Sequence, residues 1–348
     1  MLVTARFLSL CLLSAALSSG QPTPLPKIGI IDYFGLKKAN RERIDKALGV
    51  KIGDPLPKSK GEIELQIELV NGVVRASLEA VCCANGEAIL YVGILEKGAP
   101  VFEYRDAPTD ETVKLPEPLV DTWHRFMEQL RIAVREDKAA EDLTNGHSLM
   151  QYAPAREEQL KFPDMVDANL PLIRAVLRKS VDETERAIAA FVIAYTTKKP
   201  AVIDDLQFAI QDPDDGVRNN AMRSLASLAV LGKLKPELNM RIPATWFVEQ
   251  MNSIMWSDRN KAAYALVAIT DDRNAGTLGM LKDRALDSMV DMARWKSPGH
   301  ALQGFILLAR TAGWEEKRIQ ETWAAGTHLP AIEAILKAFE AAAKKKKG

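Results

Sequence analysis

The spacing of hydrophobic positions changes character several times along the chain. Residues 27–35 (KIGIIDYFG) form a β-branched run closed by glycine, which predicts a strand. Residues 41–48 place Ile44, Ala47 and Leu48 at helical spacing, with Asn40 as N-cap and Gly49 as the stop. The run Gly53-Asp54-Pro55-Leu56-Pro57 is a stiff turn. Residues 62–69 (EIELQIEL) alternate strictly, as a strand would. Against that, Ser59-Lys60-Gly61-Glu62 is a capping box, Asn71-Gly72 is a helix stop, and Ile63, Ile67 and Val70 make a narrow helical stripe. A short helix is therefore expected there, with a strand as the competing reading. Residues 73–83 and 87–96 then read as two strands around Asn85-Gly86, a tight hairpin signal.

Beyond residue 106 the period becomes helical. Pro100, Pro108, Pro116 and Pro118 mark an extended connector, followed by an amphipathic helix over 119–134 with Leu119, Trp123, Phe126, Leu130 and Val134 on one stripe. Residues 141–148 (EDLTNGHS) form the most polar loop. Residues 212–231 (DPDDGVRNNAMRSLASLAVL) then supply a template: Asp residues at an N-cap, Val217-Arg218, and Ala221, Leu225 and Leu228 on one face. The template recurs as Ala189, Ile193, Thr196; as Ala262, Leu266, Ile269; as Ala301, Phe305, Leu308; and, more weakly, as Ala331, Ile335, Ala338. The steps of roughly 30 to 41 residues fit helical repeats. A partner helix is expected before each of the first four copies, over 170–177, 202–210, 246–255 and 285–293.

Two family resemblances follow. The order strand, helix, helix, strand, strand, carried by IGIIDYFG, ERIDKALGVKIGDPLP, VVRASLEAVCC and EAILYVGILEKG, resembles a POTRA domain. That resemblance implies a β-α-α-β-β module that binds extended polypeptide at a sheet edge, at 73–81 or 28–32. No β-barrel pattern follows it, so a role in barrel biogenesis is not implied. The template at 212–231 resembles a HEAT repeat, in which an Asp and an Arg tie neighbouring turns; Arg186 and Arg259 keep the basic residue, whereas Pro298 replaces it. It implies a solenoid that acts through an extended surface. The expected fold class is thus an α+β POTRA-like domain followed by an all-α HEAT-like solenoid. The boundaries are a signal peptide at 1–20, the POTRA-like domain at 27–106, a connector at 107–164, helical repeats at 165–340 and a basic tail at 341–348.

Composition narrows the function. With 46 basic and 46 acidic side chains the chain has no net field, so general affinity for nucleic acid is not expected. Arg6, the apolar run 7–17 and the small residues 18–20 read as a secretory signal peptide, giving a periplasmic or secreted protein. Cys11 lies within that run; Cys82 and Cys83, adjacent and too close for an unstrained bridge, are read as free thiols, with a redox or metal role as the alternative. Four scattered histidines, His124, His147, His300 and His328, accompany no phosphate-cradling loop, nucleophile elbow or paired Cys/His cluster. No catalytic, cofactor-binding or metal-binding residue is assigned. The candidate partner-binding residues are Asn219, Asn220 and Arg223, off the apolar stripe, and Asn145 and His147, in the polar loop. Protein or peptide partners are expected, with weak anionic-lipid contact open to Lys344–Lys347. The expected function is a non-enzymatic envelope scaffold; the alternative is a HEAT-like lyase or ligand binder, which needs a deep cleft holding His147 and an acid.

Overall fold

A computed structural model describes residues 26–84 and 86–345, without the side chains of Cys83 and Ala84. The expected signal peptide, Cys11, Asn85 of the hairpin signal, and Lys346 and Lys347 of the tail lie outside the described residues. The order of elements is β1 (Ile28–Phe34), α1 (Arg41–Leu48), α2 (Lys60–Glu68), β2 (Val73–Ala84) and β3 (Glu87–Glu96), then α3 (Glu117–Arg135), β4 (Glu141–Asp142), β5 (Leu149–Met150), α4 (Ala153–Gln159) and α5 (Phe162–Lys179). The rest is helical: α6 (Glu183–Val192), α7 (Ile203–Ala209), α8 (Asp215–Leu234), α9 (Thr245–Gln250), α10 (Trp256–Ile269), α11 (Ala275–Arg284), α12 (Leu286–Ala293), α13 (Pro298–Thr311), α14 (Glu316–Ala324) and α15 (His328–Lys345). The chain is mostly helical, with a small mixed sheet near its start. Among the described residues no helix is long and apolar enough to cross a membrane.

Contacts group these elements into two compact units, a different partition from the linear one expected. The sheet unit holds 26–101, Met251–Asn260 and 273–345; the helical unit holds Phe102–Gln250 and Lys261–Asp272.

In the sheet unit the strand order is β1-β3-β2, with β3 parallel to β1 and antiparallel to β2. Local signals account for the elements. The Asn40 side chain accepts from Arg43 N at 2.9 Å and Gly49 turns left-handed, bounding α1. Ser59 accepts from Glu62 N at 3.4 Å, so the capping box prevails over the alternation and 62–68 is helix. One sheet face packs on α1 and α2 through Ile31, Ile44, Leu48, Ile67, Leu78, Leu90 and Val92.

The other face is also buried, against helices from the far end of the sequence. Tyr91 stacks on Trp256 at 5.3 Å and meets Trp295 at a tilt at 4.8 Å, and its hydroxyl lies 2.7 Å from His300 Nδ1. A Cβ at Gly93 would stand 2.0 Å from the Ile254 carbonyl oxygen, so only glycine admits this approach. β3 is consequently buried from Ala88 to Glu96, as a strand covered on both sides should be. The expectation of free thiols is corrected at Cys82, whose sulfur is disulfide-bonded.

In the helical unit, α6 packs on α5 and α8, and α7 on α8. Ala189, Ile193, Thr196, Ala221, Leu225 and Leu228 are fully buried, as the repeated spacing requires. Arg186 Nη1 donates to the carbonyls of Ser180 and Val181, six and five residues earlier; Arg218 Nη1 does the same to Asp212 and Pro213. In the sheet unit, Arg259 at the start of α10 likewise donates from Nε to Ser253 O, six residues back. Arg186 also grips the buried Asp212 carboxylate with Nε at 3.0 Å and Nη2 at 2.9 Å. The connector lies along the interhelical turns rather than hanging free. Arg105 N donates to Gln211 O and Asp110 N to Lys179 O, while Val181 N donates to Asp110 O. The last repeat copy, in the sheet unit, is shifted from the expected register: Ile332 and Ile335 are buried, whereas Ala331 is half-buried and Ala338 exposed.

Candidate functional site

The residues singled out in the sequence fall in the helical unit, and most are held in structural bonds. The polar loop closes on a two-residue ladder, Glu141 opposite Met150 and Asp142 opposite Leu149. Gly146, at φ 73°, lies against Leu231, where a Cβ would stand 2.7 Å from its Cδ2. That contact and the glutamate Glu141 bring the loop to α8. Arg223 Nη2 donates to Glu141 Oε2 at 2.6 Å, and Ser148 Oγ donates to the same oxygen at 2.5 Å. Asn220 Nδ2 donates to Ala187 O at 2.9 Å, tying α8 to α6, and Asn219 Nδ2 donates to the Asn220 side chain at 3.1 Å. Asn145 alone of the five is exposed, at the loop tip.

His147 stacks on Tyr195 at 4.4 Å and accepts at Nδ1 from Lys199 Nζ at 2.6 Å. Lys199 Nζ donates as well to Ala194 O at 2.5 Å. Burial, and then the Lys199 charge, push the His147 pKa down to about 3, so the imidazole is neutral at physiological pH. Burial lowers Lys199 to about 8, and burial together with nearby Arg223 lowers Lys261 to about 7. His147, Ser148, Tyr195 and Arg223 line one small cavity. The structure therefore unites His147 with Arg223 and leaves Asn145 apart. The bonds made by this group hold a loop on a helix.

In the sheet unit, a cleft of about 490 Å³ is lined by Lys37, Glu96, Arg259, Asp287 and Asp291, among others. Its charges compensate one another: Lys37 pairs with Asp287, and Arg259 Nη1 lies 3.7 Å from Asp291. Glu96 accepts the backbone N–H groups of Lys37, Lys38 and Ala39 at 2.7 to 2.9 Å.

The second feature of the sheet unit is the outer edge of β2. With β3 in the centre, β1 and β2 are both edge strands. The edge of β1 is partly closed by the turn after α1, where Ile28 N donates to Asp54 O and Gly53 N to Ile28 O. On β2, side chains stand where a neighbouring strand would. Glu68 Oε1 accepts from Ala76 N at 3.0 Å and Glu64 Oε1 from Leu78 N at 2.6 Å. Beside these carboxylates on α2, Leu65 is 63% and Leu69 79% exposed, and Val74 at the start of β2 is 51% exposed.

The chain matches no protein-family model, no curated protein and no solved structure. Glu64 and Glu68, which hold the β2 edge, did not emerge as candidates from the sequence. Their signal was present in the conflict over 62–69, because strand-like alternation wound into a helix must turn some apolar residues outward.

Proposed function

We propose that the protein is a non-catalytic scaffold of the cell envelope that binds extended polypeptide at the β2 edge. In this reading 26–96 is a POTRA-like module, and the helix pairs around Arg186, Arg218 and Arg259 are HEAT-like repeats. The element order and the recurring arginine-to-turn bond support those two likenesses. The observation that carries the function is the β2 edge itself. Its N–H groups at Ala76 and Leu78 are engaged by side-chain carboxylates rather than by backbone, and Val74 on the same strand is exposed. An incoming strand can replace each carboxylate with a carbonyl. The helical unit, stiffened by the buried Arg186–Asp212 pair, supplies a rigid surface for a second partner. Export follows from the signal-peptide pattern at 1–20, and the cationic tail at Lys344–Lys347 adds at most weak attraction to anionic lipid.

The test is amide NMR of the full chain with a neutral ten-residue peptide of alternating Thr and Val. Strand addition shifts the amides of Val74, Ala76, Leu78 and Ala80. Unchanged signals over β2 at saturating peptide would refute the reading.

A further inference from the structure

We infer that the strand joining β2 carries lysine or arginine at alternate positions. This inference rests on the strand-addition reading and specifies the partner. Glu64 and Glu68 lie four residues apart on α2, an axial step of about 6.0 Å. The N–H groups they hold, on Leu78 and Ala76, lie two residues apart on β2, a step of about 6.8 Å. The two periods match closely enough for one helix row to serve two successive outward N–H groups, with α2 running opposite to β2.

An incoming strand takes both N–H groups with its own carbonyls and leaves two carboxylates without those donors. Both glutamates are half-buried, so their charge is only partly hydrated. Lys60 Nζ lies 3.5 Å from Glu64. Among the described residues no ion pair is formed by Glu68. The side chains of the incoming strand that face α2 recur every second residue, at the spacing of the two glutamates. A lysine or arginine at each of those positions brings its charge to the released carboxylate. A strand with acidic residues there adds like charge to a freed anion. Arg75, exposed on β2, belongs to the opposite face from Ala76 and Leu78 and does not offset this.

Two partly exposed ion pairs amount to about a tenfold preference. The experiment measures the affinity of the full chain for four labelled decapeptides by fluorescence anisotropy at physiological salt. Three alternate Val with Lys, with Thr or with Glu; the fourth has the Lys–Val composition in two blocks. The alternating Lys peptide should bind about tenfold tighter than the Thr peptide, and the Glu peptide weakest. The double variant Glu64→Gln, Glu68→Gln keeps an acceptor at each position, so it should retain Thr-peptide affinity and lose the Lys advantage. Equal affinity for Lys and Thr peptides overturns the inference while leaving strand addition standing. So does a Lys advantage that survives in the double variant, or a block peptide that binds as tightly as the alternating one. Binding by none of the four overturns strand addition and the inference together.

Discussion

Asp212→Asn tests whether the helical unit is held together by its buried charge. Asp212 is fully buried, and Arg186, 2% exposed, meets it through two hydrogen bonds at 3.0 and 2.9 Å. Arg105 Nη2 reaches the same carboxylate at 3.3 Å, with its guanidinium over the Phe208 ring. Asparagine keeps the shape and one acceptor oxygen, which can still receive the Asp214 N–H now 3.0 Å from Oδ1. What it removes is the only full negative charge that these arginines contact in the bonds described. Breaking a buried pair in this way costs about 3–5 kcal/mol, because a desolvated guanidinium is left uncompensated. Arg105 is 21% exposed at its side chain and recovers some hydration, which places the expected loss near ~3 kcal/mol. The suitable assay is hydrogen–deuterium exchange of peptides from α6 and α8 across a urea series, since it reads this unit without assuming that the whole chain unfolds in one step. The double variant Arg186→Met, Asp212→Leu removes both charges and should be at least ~1 kcal/mol less destabilised than the sum of its single variants. A loss below ~1 kcal/mol for Asp212→Asn would show that the pair is hydrated in solution and would refute the argument.

Two further predictions concern the sheet unit. Glu79 accepts the N–H groups of Trp256 at 2.6 Å and Ser257 at 3.2 Å, and burial together with nearby Asp258 pushes its pKa up to about 7. The folded state then holds more protons than the unfolded state between pH 4.5 and 7, so this group's contribution to stability falls as pH rises through that window. Glu79→Gln should flatten that fall and be more stable than the parent above pH 7 by about 1–2 kcal/mol, after discounting for partial exposure. Thermal melts at pH 5 and pH 8 check it, and the same pH slope in both proteins would count against the assignment. Gly93→Ala should destabilise by about 3 kcal/mol, since its Cβ would meet a backbone oxygen that has no rotamer to change. Gly279→Ala in α11, with open space around its Cβ, should instead stabilise by about 0.5–1 kcal/mol. Urea denaturation followed by tryptophan fluorescence distinguishes the two signs.

What the sequence revealed was chiefly what short-range chemistry determines. Asn40, Ser59 and an aspartate before Val217 were expected to cap helices, and Asn40, Ser59 and Asp214 each accept the N–H three residues on. Gly49 was expected to stop α1, and it does so in the left-handed region. The anchors Ala189, Ala221, Ala262 and Ala301 are all buried, because a small residue at a fixed helical phase is a local pattern with one packing solution. The covering of the second sheet face was not read, since its partners Trp256, Trp295 and His300 lie more than 150 residues downstream. A trace of it was nevertheless present. The run Ala88 to Leu95 has no polar alternation, which is the pattern of a strand buried on both faces, and Gly93 marks the close approach. Arg223 looked available because it stood off an apolar stripe and His147 because it lay in the polar loop, yet each found a partner, Glu141 and Lys199, from a distant part of the chain. Long-range ion pairs leave no periodicity, so spacing alone did not disclose them.

The alternation at 62–69 explains why the β2 edge has its particular chemistry. As a strand, the segment would put Ile63, Leu65, Ile67 and Leu69 on one face and its acids on the other. Wound as a helix, successive residues are separated by about 100°, and residues four apart share a row. Ile63 and Ile67 then form an inward row, of which Ile67 is fully buried and Ile63 half-buried. Glu64 and Glu68 form the next row around the helix, where they meet the β2 edge. Leu65 and Leu69 form the row beyond, turned toward solvent. The acids thus stand between a buried apolar row and an exposed one, which no strand and no ordinary amphipathic helix would produce. Helix formation at Ser59 is what creates this order. A pattern that serves the core with only half of its apolar residues leaves the other half facing solvent, with the carboxylates between them turned to the β2 edge.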